Sequence, residues 1–267
     1  MTETRTAPTG DRGAHGVEAQ PDDAYFDLMA RIAEDHWWYR ARRDWLAQEL
    51  GPRLPRGEVA VDVGCGTGEA MAVLERLGAR ASVGTDLSEH VLGYVVRRSP
   101  GTKVAKALAE RLPWPDASAG ALISMDVIEH LDDDLAALRE YHRVLRPGGA
   151  LFITVPSYQW LWGVHDELAA HRRRYAPKQL AAAVEAAGFE VDRRTCIFTF
   201  LVPPAILLRR TPLKRLVKAT DDEVSMMHPA VEAAFAALAR VERWVGRRWP
   251  IPFGLSSVIV AHRPVEG

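Results

Sequence analysis

Three glycines at alternate positions follow an acidic residue in the stretch VAVDVGCGTGEAMAVLERLGA, residues 59–79: Gly64, Gly66 and Gly68. A tight turn alone needs one glycine, so three of them indicate that a ligand approaches the backbone itself. Asp62 precedes the turn, and Asp86 ends the next apolar run, in VGTDLS. A carboxylate at Asp86 can accept hydrogen bonds from the two vicinal hydroxyls of a ribose. The glycine turn and this acid together predict a site for a nucleoside-containing cofactor.

The spacing of the glycines separates this turn from the dinucleotide fingerprint GxGxxG. The third glycine comes one position early, and Glu69 stands where that fingerprint requires glycine. A carboxylate there would lie near a pyrophosphate, which argues against a nicotinamide dinucleotide. The alternative is a tight strand-to-helix turn with an incidental surface acid.

Histidines and acids follow two later apolar runs. DVIEHL supplies Glu129 and His130, and histidine titrates near neutral pH, as proton removal from a hydroxyl requires. The alternative is that these two side chains brace the turn into the next helix. A denser cluster follows in VPSYQWLWGVHDELAAHRRRYAPKQL, residues 155–180: His165, Asp166, Glu167, His171, Arg172, Arg173, Arg174 and Tyr175.

This 155–180 segment is predicted to bind the substrate, with arginines available to clamp an acidic group. The alternative is a solvated charged loop. We expect Asp166 and Glu167 to orient the ring of His165 and raise its pKa, which makes His165 the favoured base over His130. The spacing of His165, His171 and the nearby acids matches no standard metal site, and no metal is expected.

Apolar runs alternate with amphipathic segments through most of the chain, which predicts a doubly wound, mainly parallel sheet. Predicted strands are 59–63, 81–85, 103–108, 121–125, 150–155, 189–197 and 257–261. Predicted helices are 69–77, 89–98, 133–145 and 177–187, three of them ended by glycines at 78, 148 and 188.

The two ends of the chain depart from this alternation. Residues 1–23 are polar and predicted to be a disordered tail, before a single domain over 24–267. Residues 24–50 show helical spacing and are predicted to cap the domain. Within them HWWYRARR, residues 36–43, could roof the cofactor, although we interpret Trp38 as packing. Residues 198–255 are predicted to form a helical lid insert before the last strand.

Composition excludes several classes of function. The formal net charge of -1 over 267 residues gives no basic bias toward nucleic acid. Two cysteines, Cys65 and Cys196, lie too far apart for a CxxC or metal spacing, which indicates reduced thiols and a cytoplasmic location. The apolar run IFTFLVPPAILL is too short to span a bilayer, but with the basic run after it peripheral membrane contact is possible.

At this point the chain resembles the class I S-adenosylmethionine-dependent methyltransferases, over about residues 24–204 and the final strand. The motifs are DVGCGTG, GTDLS, AERLPWPDASAGALISMDVIEHL and LRPGGALFITVP. The resemblance implies S-adenosylmethionine as the cofactor and seven strands in the order 3-2-1-4-5-7-6, the last antiparallel. One departure is Leu108, which stands where relatives usually carry the adenine-binding Asp.

The resemblance and the residues together define the candidate site. Cofactor binding is predicted for Asp62, Gly64, Cys65, Gly66, Gly68, Asp86, Leu87, Ala109, Glu110 and Met125. Substrate binding is predicted for Tyr158, Trp162, Asp166, His171, Arg174 and Tyr175, and catalysis for His165 or His130.

The function expected is methyl transfer to a hydroxyl of a small molecule, and the arginines and the apolar run allow an acidic or lipid-like acceptor. Two alternatives stay open: methylation of an amine, and a protein that binds S-adenosylmethionine without transferring its methyl group. No nucleic-acid partner is expected, since the fourth strand ends in MDVIEHL and not in a base-flipping motif. The sequence does not indicate an oligomeric state.

Overall fold

The computed structural model describes residues 23–210 and 228–265. The predicted tail lies outside these residues, apart from Asp23, which begins the first helix. The basic half of the predicted insert, residues 211–227, also lies outside them.

Seven strands form one sheet: β1 Val59–Val63, β2 Ala81–Asp86, β3 Lys103–Lys106, β4 Ala119–Met125, β5 Leu145–Pro156, β6 Glu190–Ile197 and β7 Ser256–His262. Their order is β3-β2-β1-β4-β5-β7-β6. Strands β1 to β5 pair in parallel, whereas β7 lies antiparallel between β5 and β6. The predicted fold class and strand order are confirmed.

Nine α-helices lie within the described ranges: α1 Asp23–Ile32, α2 Trp37–Leu50, α3 Glu69–Leu77, α4 Glu89–Arg98, α5 Asp134–Val144, α6 Val164–Leu168, α7 Pro177–Ala186, α8 Val202–Arg210 and α9 Pro229–Gly246. The helical spacing predicted for residues 24–50 corresponds to two helices, α1 and α2. The backbone of His36 is extended and its Nδ1 accepts a hydrogen bond from the N–H of Trp38, which starts a new helix there. None of the described helices has the length and apolar content to cross a membrane.

Two other boundaries differ from the predictions. Gly148 was expected to end a helix, but α5 ends at Val144 and Gly148 lies within β5. Arg146 precedes Pro147, and the residue before a proline disfavours helical backbone angles, so the chain leaves the helix earlier. Strand β3 ends at Lys106 and not at Leu108, whose side chain is 46% exposed beyond the sheet edge.

Apolar side chains cover both faces of the sheet. On one face α5 and α7 contribute Leu138 and Leu180 to the core. On the other face α2 packs against α9, and Trp37 and Trp38 contact Phe198, the Trp38 and Phe198 rings being stacked at 3.9 Å between centroids. The interpretation of Trp38 as a packing residue is confirmed. This core therefore anchors α2 against the sheet and α9.

The contact between α2 and α9 depends on a glycine. A Cβ at Gly246 would lie 2.1 Å from Cη2 of the buried Trp45 indole. We expect Gly246→Ala to lower the free energy of unfolding by about 1–3 kcal/mol, the usual cost of overpacking, in urea denaturation. The control is Gly93→Ala in α4, where the nearest atom is the flexible end of Arg97. Equal stability of Gly246→Ala and the natural chain would contradict this account of the packing.

Candidate functional site

A cavity of about 330 Å³ opens at the carboxyl ends of the parallel strands. This is the edge where doubly wound sheets bind ligands, and the volume lies within the roughly 300–1,000 Å³ of small-molecule sites. Its walls come from α1 and α2, from the glycine turn after β1, from the ends of β2 and β4, and from the segment around α6. The lining includes Met29, Tyr39, Arg42, Asp62, Gly64, Cys65, Gly66, Asp86, Leu87, Ala109, Met125, Asp126, His130, His165 and His171.

The glycine turn holds its shape through left-handed backbone angles. Gly64, Gly66 and Gly68 have φ values of +66°, +51° and +85°, which other residues rarely adopt. A Cβ at Gly66 would meet no atom within 4 Å, so the backbone there faces open space, whereas Gly68 packs on Val95 and begins α3. The turn therefore presents Gly66 and its neighbours to the cavity and uses Gly68 for packing.

Two acids lie beside this turn. Asp86 Oδ2 accepts a hydrogen bond from the Gly66 N–H at 3.1 Å, and Oδ1 accepts one from the Ser88 N–H at 3.0 Å. Asp62 is buried, and its Oδ2 has no hydrogen-bond partner among the described residues. Burial, reinforced by Asp86, raises the pKa of Asp62 to about 8, against the opposing charge of Arg42. A buried acceptor without a partner is a binding point for a donor group on a ligand.

Three histidines form the opposite wall. His130 belongs to the 3₁₀ turn Ile128–His130 after β4, His165 lies in α6, and His171 follows α6. The ring centroids of His130 and His171 are 4.8 Å apart, and those of His165 and His171 are 5.9 Å apart. Burial lowers the pKa of His130 to about 4, and desolvation also lowers the pKa of His165. The imidazoles of His130 and His165 are therefore neutral at neutral pH.

The prediction that Asp166 raises the pKa of His165 is wrong: burial lowers that pKa, and the Asp166 carboxylate bonds to other residues. Asp166 is buried, and its Oδ1 accepts hydrogen bonds from Arg174 Nε at 2.6 Å and His171 Nδ1 at 2.9 Å. Burial by itself would raise the pKa of Asp166, but these hydrogen bonds outweigh it and lower the pKa. No described residue hydrogen-bonds the His165 ring, which is open to the cavity.

Of the six residues predicted to bind substrate, His171 lines the cavity and the other five do not. Arg174 is buried in its pair with Asp166. The Tyr175 hydroxyl donates to Asp134, and the Tyr158 hydroxyl donates to the carbonyl of Pro252. Trp162 lies beyond the 3₁₀ turn Gln159–Leu161. The polar side chains of residues 155–180 therefore mainly stabilise their own loop, while the imidazoles of His165 and His171 line the cavity.

The N-terminal helices contribute Tyr39, which belongs to the segment predicted to roof the cofactor, and Arg42, to which the sequence reasoning assigned no role. Tyr39 and Arg42 of α2 line the cavity, and Arg42 Nη2 pairs with Asp126 Oδ2 at 2.7 Å. The three arginines of HWWYRARR carry no spacing signal that would single out Arg42. Asp126 lies inside the DVIEHL motif, so the motif itself was the available clue.

The comparisons with known proteins agree with this geometry. The family described as "Methyltransferase domain" matches residues 61–153. A Mycolicibacterium smegmatis protein named "Probable S-adenosylmethionine-dependent methyltransferase" is 31% identical over 169 residues, which cover 62% of this chain and 65% of that protein. The chain contains a class I S-adenosylmethionine-dependent methyltransferase domain. S-adenosylmethionine is the cofactor of this domain.

Two further comparisons place the methyltransferase domain among its relatives. A "Malonyl-[acyl-carrier protein] O-methyltransferase" of a Marinomonas species is 27% identical over 194 residues, covering 70% of this chain and 64% of that protein. The chain therefore spans less than two thirds of the length of either relative. The crystal structure of the [4+2]-cyclase SpnF superposes with a TM-score of 0.62 at 23% identity, covering 91% of this chain and 94% of that one. Since a cyclase shares the fold, the fold alone does not decide the reaction.

The residues of the methyltransferase domain fit its cofactor. The open backbone at Gly66, the orphaned Oδ2 of Asp62 and the carboxylate of Asp86 offer donors and acceptors on one side of the cavity. On the side expected to hold the adenine, Leu87 and Ala109 line the cavity. Leu108 and Glu110 are not among the lining residues, so the missing adenine-binding Asp leaves apolar contact there.

Proposed function

We propose that this protein transfers a methyl group from S-adenosylmethionine to a hydroxyl group of a small molecule. The observation that carries the proposal is His165, an imidazole that faces the cofactor cavity and has no hydrogen-bond partner among the described residues. Such a ring is available to accept a proton from an acceptor hydroxyl. The Marinomonas relative is named as an O-methyltransferase, which favours an oxygen acceptor over a nitrogen acceptor.

The cofactor residues have distinct proposed roles. Asp86 binds the ribose hydroxyls, and Asp62 and the backbone at Gly64–Gly66 hold the methionine end. Leu87 and Ala109 enclose the adenine, and Met125 lies beside the methionine portion. Cys65 and Gly68 are proposed to maintain the shape of the glycine turn. Glu110 is proposed to maintain the shape of the segment that encloses the adenine. When bound, the cofactor supplies an electrophilic methyl group on a sulfonium that is a good leaving group.

The remaining task of the chain is to align the acceptor and take its proton. His165 is the proposed base, and His171 lies next to it in the cavity wall. Helices α1 and α2 serve as the cap, since Phe26, Met29 and Tyr39 line the cavity. Of the 198–255 insert, the structure describes residues 198–210 and 228–255, and none of these lines the cavity. In this proposal the N-terminal helices therefore cover the cavity.

The test is incubation of the purified protein with labelled S-adenosylmethionine and a panel of small phenols, alcohols, carboxylic acids and amines. We expect label on a hydroxyl-bearing compound and none on matched compounds that lack the hydroxyl. Label on amines alone would replace the proposal with N-methylation. Calorimetry with S-adenosylhomocysteine runs in parallel, so that cofactor binding without transfer to any acceptor identifies a binding protein and rejects the proposed reaction.

A further inference from the structure

Two histidines of the cavity wall, His130 and His171, share a small cluster with Glu129, which is buried and does not line the cavity. Glu129, His130 and His171 each offer one ligand atom, and these atoms all lie within 4.8 Å of one another. Glu129 Oε1 is 3.9 Å from Nε2 of His171. Ligands bound to one ion at about 2.1 Å are separated by roughly 3–4 Å, so small side-chain shifts bring the three atoms onto a common ion.

The charges around Glu129 are unbalanced. Three carboxylates meet here, and two of them have a cation of their own: Asp126 pairs with Arg42, and Asp166 pairs with Arg174. Glu129 is fully buried, and neither of its carboxylate oxygens has a hydrogen-bond partner among the described residues. A buried carboxylate without donors is costly and is found paired or bound to a metal. This orphaned side chain is an observation independent of the histidine spacing.

The neighbours of the two histidines hold the rings as metal ligands are usually held. His171 engages Asp166 through Nδ1 at 2.9 Å, which leaves Nε2 toward Glu129. Asp166 is itself fixed by Arg174 and by the N–H of Gly163. The backbone of Ala170 lies beside the His130 ring and acts to raise its pKa, against the larger effect of burial. Ligating histidines almost always give their second ring nitrogen to a carboxylate or a carbonyl in this way.

We propose that Glu129, His130 and His171 bind one divalent transition-metal ion at the wall of the cofactor cavity. Two imidazoles and one carboxylate form the ligand set of zinc and non-haem iron sites that keep open coordination positions. His130 and His171 line the cavity, so the open positions face it. The expectation from sequence spacing that no metal binds is thereby revised, because folding joins residues about forty positions apart.

The ligand for the open positions is an oxygen-bearing molecule in the cavity. If methyl transfer to a hydroxyl is the function, that oxygen belongs to the acceptor, and the ion both orients it and lowers the pKa of its proton. This role rests on the proposed function, whereas binding of the ion does not. The two are therefore separable by experiment.

The test uses chelator-stripped protein titrated with Zn²⁺ by isothermal titration calorimetry, with no cofactor present. We expect one ion per chain, and affinity at least about 100-fold weaker in Glu129→Gln and His171→Gln, given that even outer partners of metal ligands contribute 10- to 100-fold. The matched control is His262→Gln, because His262 also lies beside two acids, Glu190 and Asp192, but on the surface. It should bind Zn²⁺ like the natural chain.

A second measurement addresses the open positions and any folding defect. Acetohydroxamate, a small oxygen chelator, should bind the Zn²⁺-loaded protein and not the stripped protein, while circular dichroism and the melting temperature show whether each stripped variant is folded. Absence of a one-to-one Zn²⁺ site, or unchanged affinity in folded Glu129→Gln, overturns the proposal. Zn²⁺ binding without methyl transfer to any acceptor leaves the metal site standing and rejects the proposed function instead.

Discussion

Replacement of His165 by glutamine is expected to lower kcat for a hydroxyl acceptor about 100- to 10,000-fold, the usual contribution of a general base. The ring faces the cofactor cavity, and none of the described residues occupies its nitrogens. Glutamine keeps a polar side chain of similar reach but cannot take up a proton. Single-turnover kinetics with saturating S-adenosylmethionine measure the chemical step directly.

The matched control is Glu167→Gln, an exposed position on the same short helix that does not line the cavity. It should retain kcat.

The affinity for S-adenosylhomocysteine and for Zn²⁺ should be unchanged in His165→Gln. This result would show that His165 acts as a base and binds neither the cofactor nor the metal ion. His130→Gln, by contrast, should weaken Zn²⁺ binding. If His165→Gln turns over as fast as the natural chain, histidine base catalysis at this position is wrong, and an amine acceptor methylated through alignment alone becomes the better explanation.

Replacement of Asp86 by alanine is expected to weaken S-adenosylhomocysteine binding about 100- to 10,000-fold, as measured by calorimetry. A hydrogen bond to a charged group contributes about 1.5–3 kcal/mol, and the proposed ribose contact has two. The same carboxylate accepts from the Gly66 and Ser88 N–H groups, so its loss also frees the glycine turn. Burial raises the pKa of Asp86, and the hydrogen bonds from the Ser88 and Gly66 backbone oppose that shift.

Glu89→Gln provides the control for Asp86→Ala. Glu89 begins the helix that follows Asp86, is exposed and pairs with Lys106 on the surface. This variant should bind S-adenosylhomocysteine like the natural chain. The melting temperatures of both variants, measured without ligand, show whether the fold is retained. An Asp86→Ala protein that is folded and binds within a fewfold of the natural chain would place the ribose elsewhere in the cavity.

Much of the scaffold follows from local patterns. Helices α3 and α4 begin and end where the spacing predicts, and α3 ends at the predicted glycine, Gly78, which takes left-handed angles. The structure adds Ser88, whose side chain accepts the Val91 N–H at the start of α4. The glycine turn and Asp86 come to one cavity because consecutive parallel strands end at the same edge. The order of the seven strands came from the resemblance to the family, and periodicity alone did not predict it.

The partners of the polar residues were decided by the tertiary structure. Asp166 is adjacent to His165 in sequence, yet it engages His171 and Arg174, because on a short helix neighbouring side chains point in different directions. Tyr39 and Arg42 reach the cavity through the packing of α2 against the sheet and α9, which no local spacing encodes. Glu129 and His171 meet only after β5 and α6 return the chain to the end of β4. Residue types and turns are local properties, whereas the distance between two ionisable groups depends on every packed element that lies between them.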